Sequence, residues 1–366
     1  MFTRWRDPVS GVESLILSKR IAPIQQSFYF THSGFSADGR YLWFYIAFPP
    51  GGDAYLGRRL GVIDFTEEAV RVFPETLFSD ASPFVDEKTA KVFWVTGLEV
   101  WKRGPRPDDK PVFVNSFPKE LANNRRPLRV ATHLTPSADG KSFAIDALIG
   151  NDCYIGDLPR DSVRSFQLWQ KVDRCYNHAQ FSPTDSDLIL IAQDGWFDAA
   201  TGEKGNCEDR LWLIRRGEKA RAIYPHAPSN LRGHEWWDPD GEHVWYIDYR
   251  KGTEKVNIRT GTRTNVWPGG HSHSHSDRHG QLLVGDVNPQ HIDYNLWWVA
   301  FFNVKTGKEI KIVSDLPQLP YPRSRYHIHP HPHFCVDDRY VCYTTNVLGT
   351  VDVALVSVAQ LVERTS

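Results

Sequence analysis

A unit of one kind returns seven times along this chain, and that repetition limits the fold more than any other feature. Copies begin THSGFSADGRYLWFYIAF at Thr31, THLTPSADGKSFAIDAL at Thr132, NHAQFSPTDSDLILIA at Asn177 and GHEWWDPDGEHVWYIDY at Gly233. Others begin SHSHSDRHGQLLVGD at Ser272 and PHPHFCVDDRYVCYTT at Pro330, with a weaker copy, DASPFVDEKTAKVFWVTG, at Asp80. Each holds a short strand, a polar turn that often reads Asp-Gly, and a second run rich in Val, Ile, Leu, Phe and Tyr, the signature of a β-hairpin. The turns fall at Asp38, Asp86, Asp139, Thr184, Asp240, His279 and Asp337. The mean step of about 50 residues suits four-stranded propeller blades. No long run has a 3.6-residue apolar period. The expected fold is an all-β, seven-bladed β-propeller, one domain over residues 1–366. A strand from the segment Arg4 to Ser18 should complete the last blade beside Val351 to Val358 and close the ring. The Pro- and Arg-rich stretch from Lys102 to Pro127 is expected to be a long excursion at blade two or three.

Composition narrows the partners. A formal net charge of −1 leaves no basic surface for nucleic acid or an anionic membrane. No run of eighteen apolar residues is present to span a bilayer. The N-terminus MFTRWRDPVSGVESL lacks an apolar signal core. A cytoplasmic protein is therefore expected, or a periplasmic or secreted one if a signal was removed. The five cysteines fit no zinc spacing and read as reduced, mostly buried thiols. The 13 Trp, 14 Tyr and 20 Phe suit either sheet packing or a groove that stacks sugar rings.

Six residues before each turn stand His32, Asp80, His133, His178, His234, His273 and His331. The first strand of a propeller blade lines the central channel, so one register position repeated in every blade should face one axis at one height. A ring of imidazoles there would be competent for metal binding and proton transfer. A histidine at a strand start also serves to satisfy backbone groups of a neighbouring blade, and His32 and His133 best fit that plainer role. Further histidines crowd two repeats: His271, His273, His275 and His279 in one, His327, His329, His331 and His333 in the other. Strand alternation would put each set largely on one face. A three-imidazole metal site across blades six and seven follows, with an adventitious surface tract as the plainer alternative.

At these residues the sequence resembles the oligogalacturonate lyase family, propellers that degrade short pectin fragments. The resemblance runs from the DPVSG start to the last blade and is strongest in the last four repeats. Its HPHP-x-F block matches His329 to Phe334. Its VGD block matches Val284, Gly285 and Asp286, following Ser272-His273. Its HE-[FW]-W-x-PDG block matches His234 to Gly241. Its ARMWL segment looks like Asp209 to Leu213. The resemblance implies a manganese-type divalent ion on His273, His329 and His331, with Zn2+ or Ca2+ as alternatives. It also implies His234 as Brønsted base and Arg210 as a cation that binds substrate. The chain departs from the family at Tyr326, where a metal-binding Gln is the rule, and at His333, which replaces a small residue.

The chemistry so implied is β-elimination on an acidic oligosaccharide. A metal would neutralise the uronate carboxylate, a base would take the C5 proton, and the C4 oxygen would leave. His178 is a rival base or a substrate contact. Trp236 is a candidate for stacking a sugar, since Trp236 and Trp237 should face opposite ways, and Tyr326 is a candidate hydrogen-bond donor to a carboxylate. Two alternatives remain: a lyase for another uronate glycan of glucuronate–rhamnose type, and a non-catalytic TolB-like binding propeller. The sequence leaves the oligomeric state open.

Overall fold

The chain is described by a computed structural model covering residues 1–53, 56–79, 83–198, 200–224, 231–287, 297–319 and 323–366. Its strands form seven antiparallel blades, each running outward from an innermost strand. Blade one holds Ile24–Gln26, Tyr41–Ala47, Leu56–Asp64 and Ala69–Ser79, and blade two Phe84–Asp86, Lys91–Thr96, Glu99–Arg103 and Val112–Ser116. Blade three holds Ser142–Ile149, Asp152–Pro159 and Gln167–Val172. Its inner segment joins by single bridges, Arg129 to Leu148 and Pro136 to Phe143. Blade four holds Tyr176–Phe181, Leu188–Gln193, Leu211–Arg215 and Arg221–Ala222; blade five Arg232–Trp237, His243–Asp248, Gly252–Asn257 and Arg263–Pro268. Blade six holds His271–Ser276, Leu282–Val287, Trp298–Asn303 and Lys308–Val313.

Blade seven combines both ends of the chain. His333–Cys335, Tyr340–Thr345 and Asp352–Ser357 are continued outward by Glu13–Leu17 and then Phe2–Arg6. The closing pairs are Leu15 with Leu355 and Ile16 with Ala354. Asp7 reinforces the seam: its carboxylate accepts from the amides of Val9 and Ser10 and from the amide and hydroxyl of Ser314.

The repeated turns have a local cause. Asp38 accepts from the amide of Arg40, Asp139 from that of Lys141, and Asp240 from those of Glu242 and His243. The glycine after each aspartate is left-handed, with φ of 70° at Gly39, 72° at Gly140 and 67° at Gly241, a conformation glycine adopts without a Cβ clash.

Second strands such as YLWFYIA (residues 41–47), LILIAQ (188–193) and SFAIDALI (142–149) are buried on both faces between blades, which explains their unbroken apolar character. Aromatic residues tie blade to blade. Trp43 Nε1 donates to Ala90 O, Trp267 Nε1 to Glu309 and Trp237 Nε1 to Gln180 O. The aromatic richness is thus chiefly packing.

Two expectations change in detail. The Lys102 to Pro127 stretch is no single excursion: it holds the outermost strand of blade two, Val112–Ser116, and a helical turn, Lys119–Ala122. A helix at Val358–Thr365 buries Leu361 and donates from Arg364 to Ser10 O and Gly11 O. No disulfide joins the five cysteines; Cys153, Cys335 and Cys342 are buried, whereas Cys175 and Cys207 are half-buried. No helix among the described residues is long and apolar enough to cross a membrane.

Ile16 is fully buried at the closing seam. Ile16→Ala should lower stability by about 2–5 kcal/mol, read as a shift of the urea unfolding midpoint with both ends of the chain present.

Candidate metal and proton-transfer site

The inner strands of blades four and five do not run straight. Each carries a bulge, between Asn177 and Gln180 in one and between Gly233 and Trp236 in the other. Within the bulges His178 and His234 are left-handed, with φ of 56° and 52°. A non-glycine residue seldom holds that conformation, and it costs free energy that surrounding structure must offset. A bulge also re-aims a side chain. Blade six has a bulge between His271 and His273, and His327 and His331, approaching blade seven, are left-handed at 49° and 44°.

Imidazoles from several blades meet around the channel, those at the kinks among them. Ring centroids lie 5.5 Å apart for His32 and His133, 5.1 Å for His133 and His178, 4.0 Å for His234 and His273, and 4.3 Å for His273 and His331. Tyr29 packs among them, 5.0 Å from His133 and 4.8 Å from His331. Asp80 falls outside the described residues.

One group stands closer than the rest. His273, His327, His329 and His331 each offer a ligand atom, and these atoms all lie within 4.8 Å of one another. His273 Nδ1 is 2.9 Å from both oxygens of Asp286, so its Nε2 is left for the cluster. Nε2 of His273 and Nε2 of His331 are buried and make no hydrogen bond among the described residues. Burial lowers His273 and His327 to about 3, so both present lone pairs. Four converging imidazoles, two of them buried with an orphaned Nε2, fit a divalent transition metal. They do not suit Ca2+, which takes oxygen ligands.

The supporting contacts fix the rings. Asp286, itself fully buried, also accepts from the amides of His273 and His331. Burial pushes its carboxyl up to about 8 against those donors, so a cation on the far side of His273 is what would favour the carboxylate. Trp297 stacks on His329 at 4.9 Å.

The outcome departs from the sequence at several residues. His273, His329 and His331 do converge, joined by His327, which the sequence reading left out of the ligand set. Tyr326 is buried in an apolar cluster with Ile24, Ala47, Ile328 and Val351. The tract does not share a strand face either. Only His333–Cys335 is a strand, and the two left-handed histidines break the alternation. His333 turns away, its Nδ1 3.0 Å from His331 O. His271 instead packs against Trp267, the rings tilted and 4.0 Å apart. Trp236 is not open to a sugar: it is buried, stacks in parallel on Trp245 at 5.7 Å, and donates to Ser276. Trp237 is also core. His32 and His133 do not satisfy neighbouring backbone groups as expected: Nε2 of His32 and both ring nitrogens of His133 are buried without a hydrogen bond among the described residues.

His234, Arg210 and His178 form the flank of the site on blades four and five. His234 Nδ1 is 3.1 Å from the Tyr249 hydroxyl. Arg210 is not held free for a ligand. Its Nη1 donates to Gln193 O at 3.2 Å, and it lies 3.4 Å from Asp194 and 3.6 Å from Glu235. His178 Nδ1 stands 2.6 Å from Glu235 Oε1. Glu235 is fully buried, yet Arg210 and His178 outweigh its desolvation and hold its carboxyl at about 2.

The model of the oligogalacturonate lyase family matches residues 165–362, more than half the chain. The chain belongs to that family. The matched region spans blades four to seven and contains His178, Arg210, His234, Glu235, Asp286 and all four clustered histidines. An oligogalacturonate lyase of Dickeya dadantii (strain 3937) is 27% identical over 198 residues, covering 49% of each chain. An oligogalacturonide lyase of Pectobacterium atrosepticum is 29% identical over 190 residues, covering 47% of each. The chain thus spans about half the length of the curated relatives it matches. Over the whole fold, it resembles a solved oligogalacturonate lyase in complex with manganese, with a TM-score of 0.75 and 19% identity over 98% of this chain and 96% of that one. That likeness establishes the seven-bladed fold.

Two measurements bear on this site. Asp286→Asn should weaken Mn2+ or Zn2+ binding by about 10–100-fold, read by isothermal titration without substrate. Separately, burial lowers His32 to about 4 and His133 well below its ordinary 6.5. The unfolded chain takes up these protons below pH 6.5, while the folded chain refuses the His32 proton until about pH 4 and the His133 proton well below 6.5. Their contribution to stability is therefore full above pH 6.5 and lost as pH falls through that window. In His32→Gln the fall in urea midpoint over the same window should be smaller.

Proposed function

We propose that this protein is a divalent-metal-dependent lyase that cleaves short galacturonate oligosaccharides by β-elimination, leaving a 4,5-unsaturated uronate. The observation that carries the reading is the convergence of His273, His327, His329 and His331 in a family whose characterised members are named for that activity. The four histidines would hold the ion, with Mn2+ first by family and Zn2+ second by donor type. When bound, the ion supplies Lewis-acid neutralisation of the substrate carboxylate, which makes the C5 proton removable.

The remaining roles belong to the chain itself. His234 sits beside His273, where a uronate carboxylate drawn to the cluster would bring its C5–H close. With Nδ1–H donating to the Tyr249 hydroxyl, Nε2 carries the lone pair that takes this proton. Burial and the neighbouring His273 hold His234 well below its usual value, which keeps it unprotonated before the step. Arg210, fixed between Asp194 and Glu235, lends positive charge to the same wall. Among the described residues the channel wall carries imidazoles rather than a pair of facing carboxylates, which favours elimination over hydrolysis.

Purified protein, loaded with Mn2+ and given di- and trigalacturonate, should generate the ultraviolet absorbance of an unsaturated uronate. Chelation should abolish it and added metal restore it. His234→Ala should lower kcat by about 10²–10⁴-fold with Mn2+ affinity little changed. Turnover that survives complete metal removal, or turnover only on glucuronate–rhamnose oligomers, would overturn the reading.

A further inference from the structure

Elimination from a galacturonate has a geometric demand that one base does not meet. The C5–H and C4–O bonds of this sugar are both axial and point to opposite faces of the ring. The group that takes the C5 proton therefore does not also reach O4, and an alkoxide leaving unprotonated is a poor leaving group. A second proton-handling side chain is called for.

From the His178–Glu235 pair we infer that His178 is the general acid that protonates the departing O4, and that Glu235 is the residue that positions it; this rests on the lyase reading above. Several observations converge. His178 leaves blade four by the same bulge and the same left-handed kink as His234 leaves blade five. Two equivalent, strained placements on neighbouring blades are hard to account for by packing alone. Its Nδ1 faces Glu235 Oε1 at 2.6 Å, which directs that nitrogen's proton to the carboxylate. Nε2 then points the other way, makes no hydrogen bond among the described residues, and belongs to a side chain 15% exposed. Glu235 is fully enclosed, next to the guanidinium of Arg210, and its own carbonyl is fixed by Gln180. The carboxylate against Nδ1 fixes the orientation of the ring and so the direction in which Nε2 faces. The other groups around His178 are Arg210, with Nη2 3.4 Å from Nδ1, and the rings of His133 and Tyr29.

The step balances. The C5–H bond breaks to His234 Nε2, its electron pair forms the C4–C5 double bond, and the C4–O4 bond breaks. O4 takes the proton from His178 Nε2. His234 ends protonated and His178 neutral, and exchange with water resets both without any oxidant or reductant.

The test compares digalacturonate with its analogue carrying sulfur in place of the bridging O4. A thiolate leaves without help from an acid, and the analogue keeps both carboxylates. His178→Ala should lose at least ten times more in kcat on the oxygen-linked substrate than on the sulfur-linked one, and Glu235→Gln should show the same bias. His234→Ala should lose equally on both, since each needs the C5 proton removed. Retained turnover of the thio analogue also shows that the variants are folded. Equal losses for His178→Ala on both substrates, or none on either, would overturn the assignment while leaving the lyase reading intact. A wild-type protein that, with metal, eliminates neither substrate would remove the lyase reading itself.

Discussion

A single buried carboxylate holds the centre of this molecule in register. Asp286 leaves the second strand of blade six and gathers three donors: the His273 amide, the His273 ring and the His331 amide. Those donors belong to two blades. The contact therefore sets the angle of a ligand ring, fixes the tautomer that turns Nε2 toward its neighbours, and anchors the approach to the last blade. Charge inside a protein is costly unless it is matched by hydrogen bonds or a counter-charge. At Asp286 the donors alone do not offset burial, whereas Arg210 and His178 keep Glu235 ionised on the other flank.

The backbone contributes as much as the side chains. A propeller strand pointing straight along its blade would alternate its residues between two packed faces. Left-handed residues at His178, His234, His327 and His331 break that alternation where imidazoles must turn toward the axis. The strain is local and the surrounding sheets are heavily packed, so the blades hold the kinks in place.

The fold was legible because its cause is local and repeated. Asp-Gly turns and doubly buried second strands recur at a fixed spacing, and each can be read without knowledge of the others. The histidine register was legible for the same reason. What the sequence did not disclose depends on departures from regular geometry. Strand alternation, applied to residues 327–333, put His333 with the ligands, whereas two left-handed residues send it elsewhere. Tyr326 was weighed as a polar group because of its position, but its ring follows the apolar cluster around Ile24. Trp236 was weighed as a sugar platform, yet Trp245 already occupies its face. Asp286 and Glu235 stood inside quoted motifs, and nothing in their spacing showed which ring nitrogens they would meet.

The seam in blade seven has a kinetic side. Ile16 pairs with Ala354, so the contact that completes the cylinder is among the most distant in the chain. Loop-closure entropy makes such pairings form late. The histidine tract of residues 327–333 lies just before the final strands. Without the Glu13–Leu17 strand, the outer edge of Asp352–Ser357 would stand unpaired, and the blade that follows the histidine cluster would stay open.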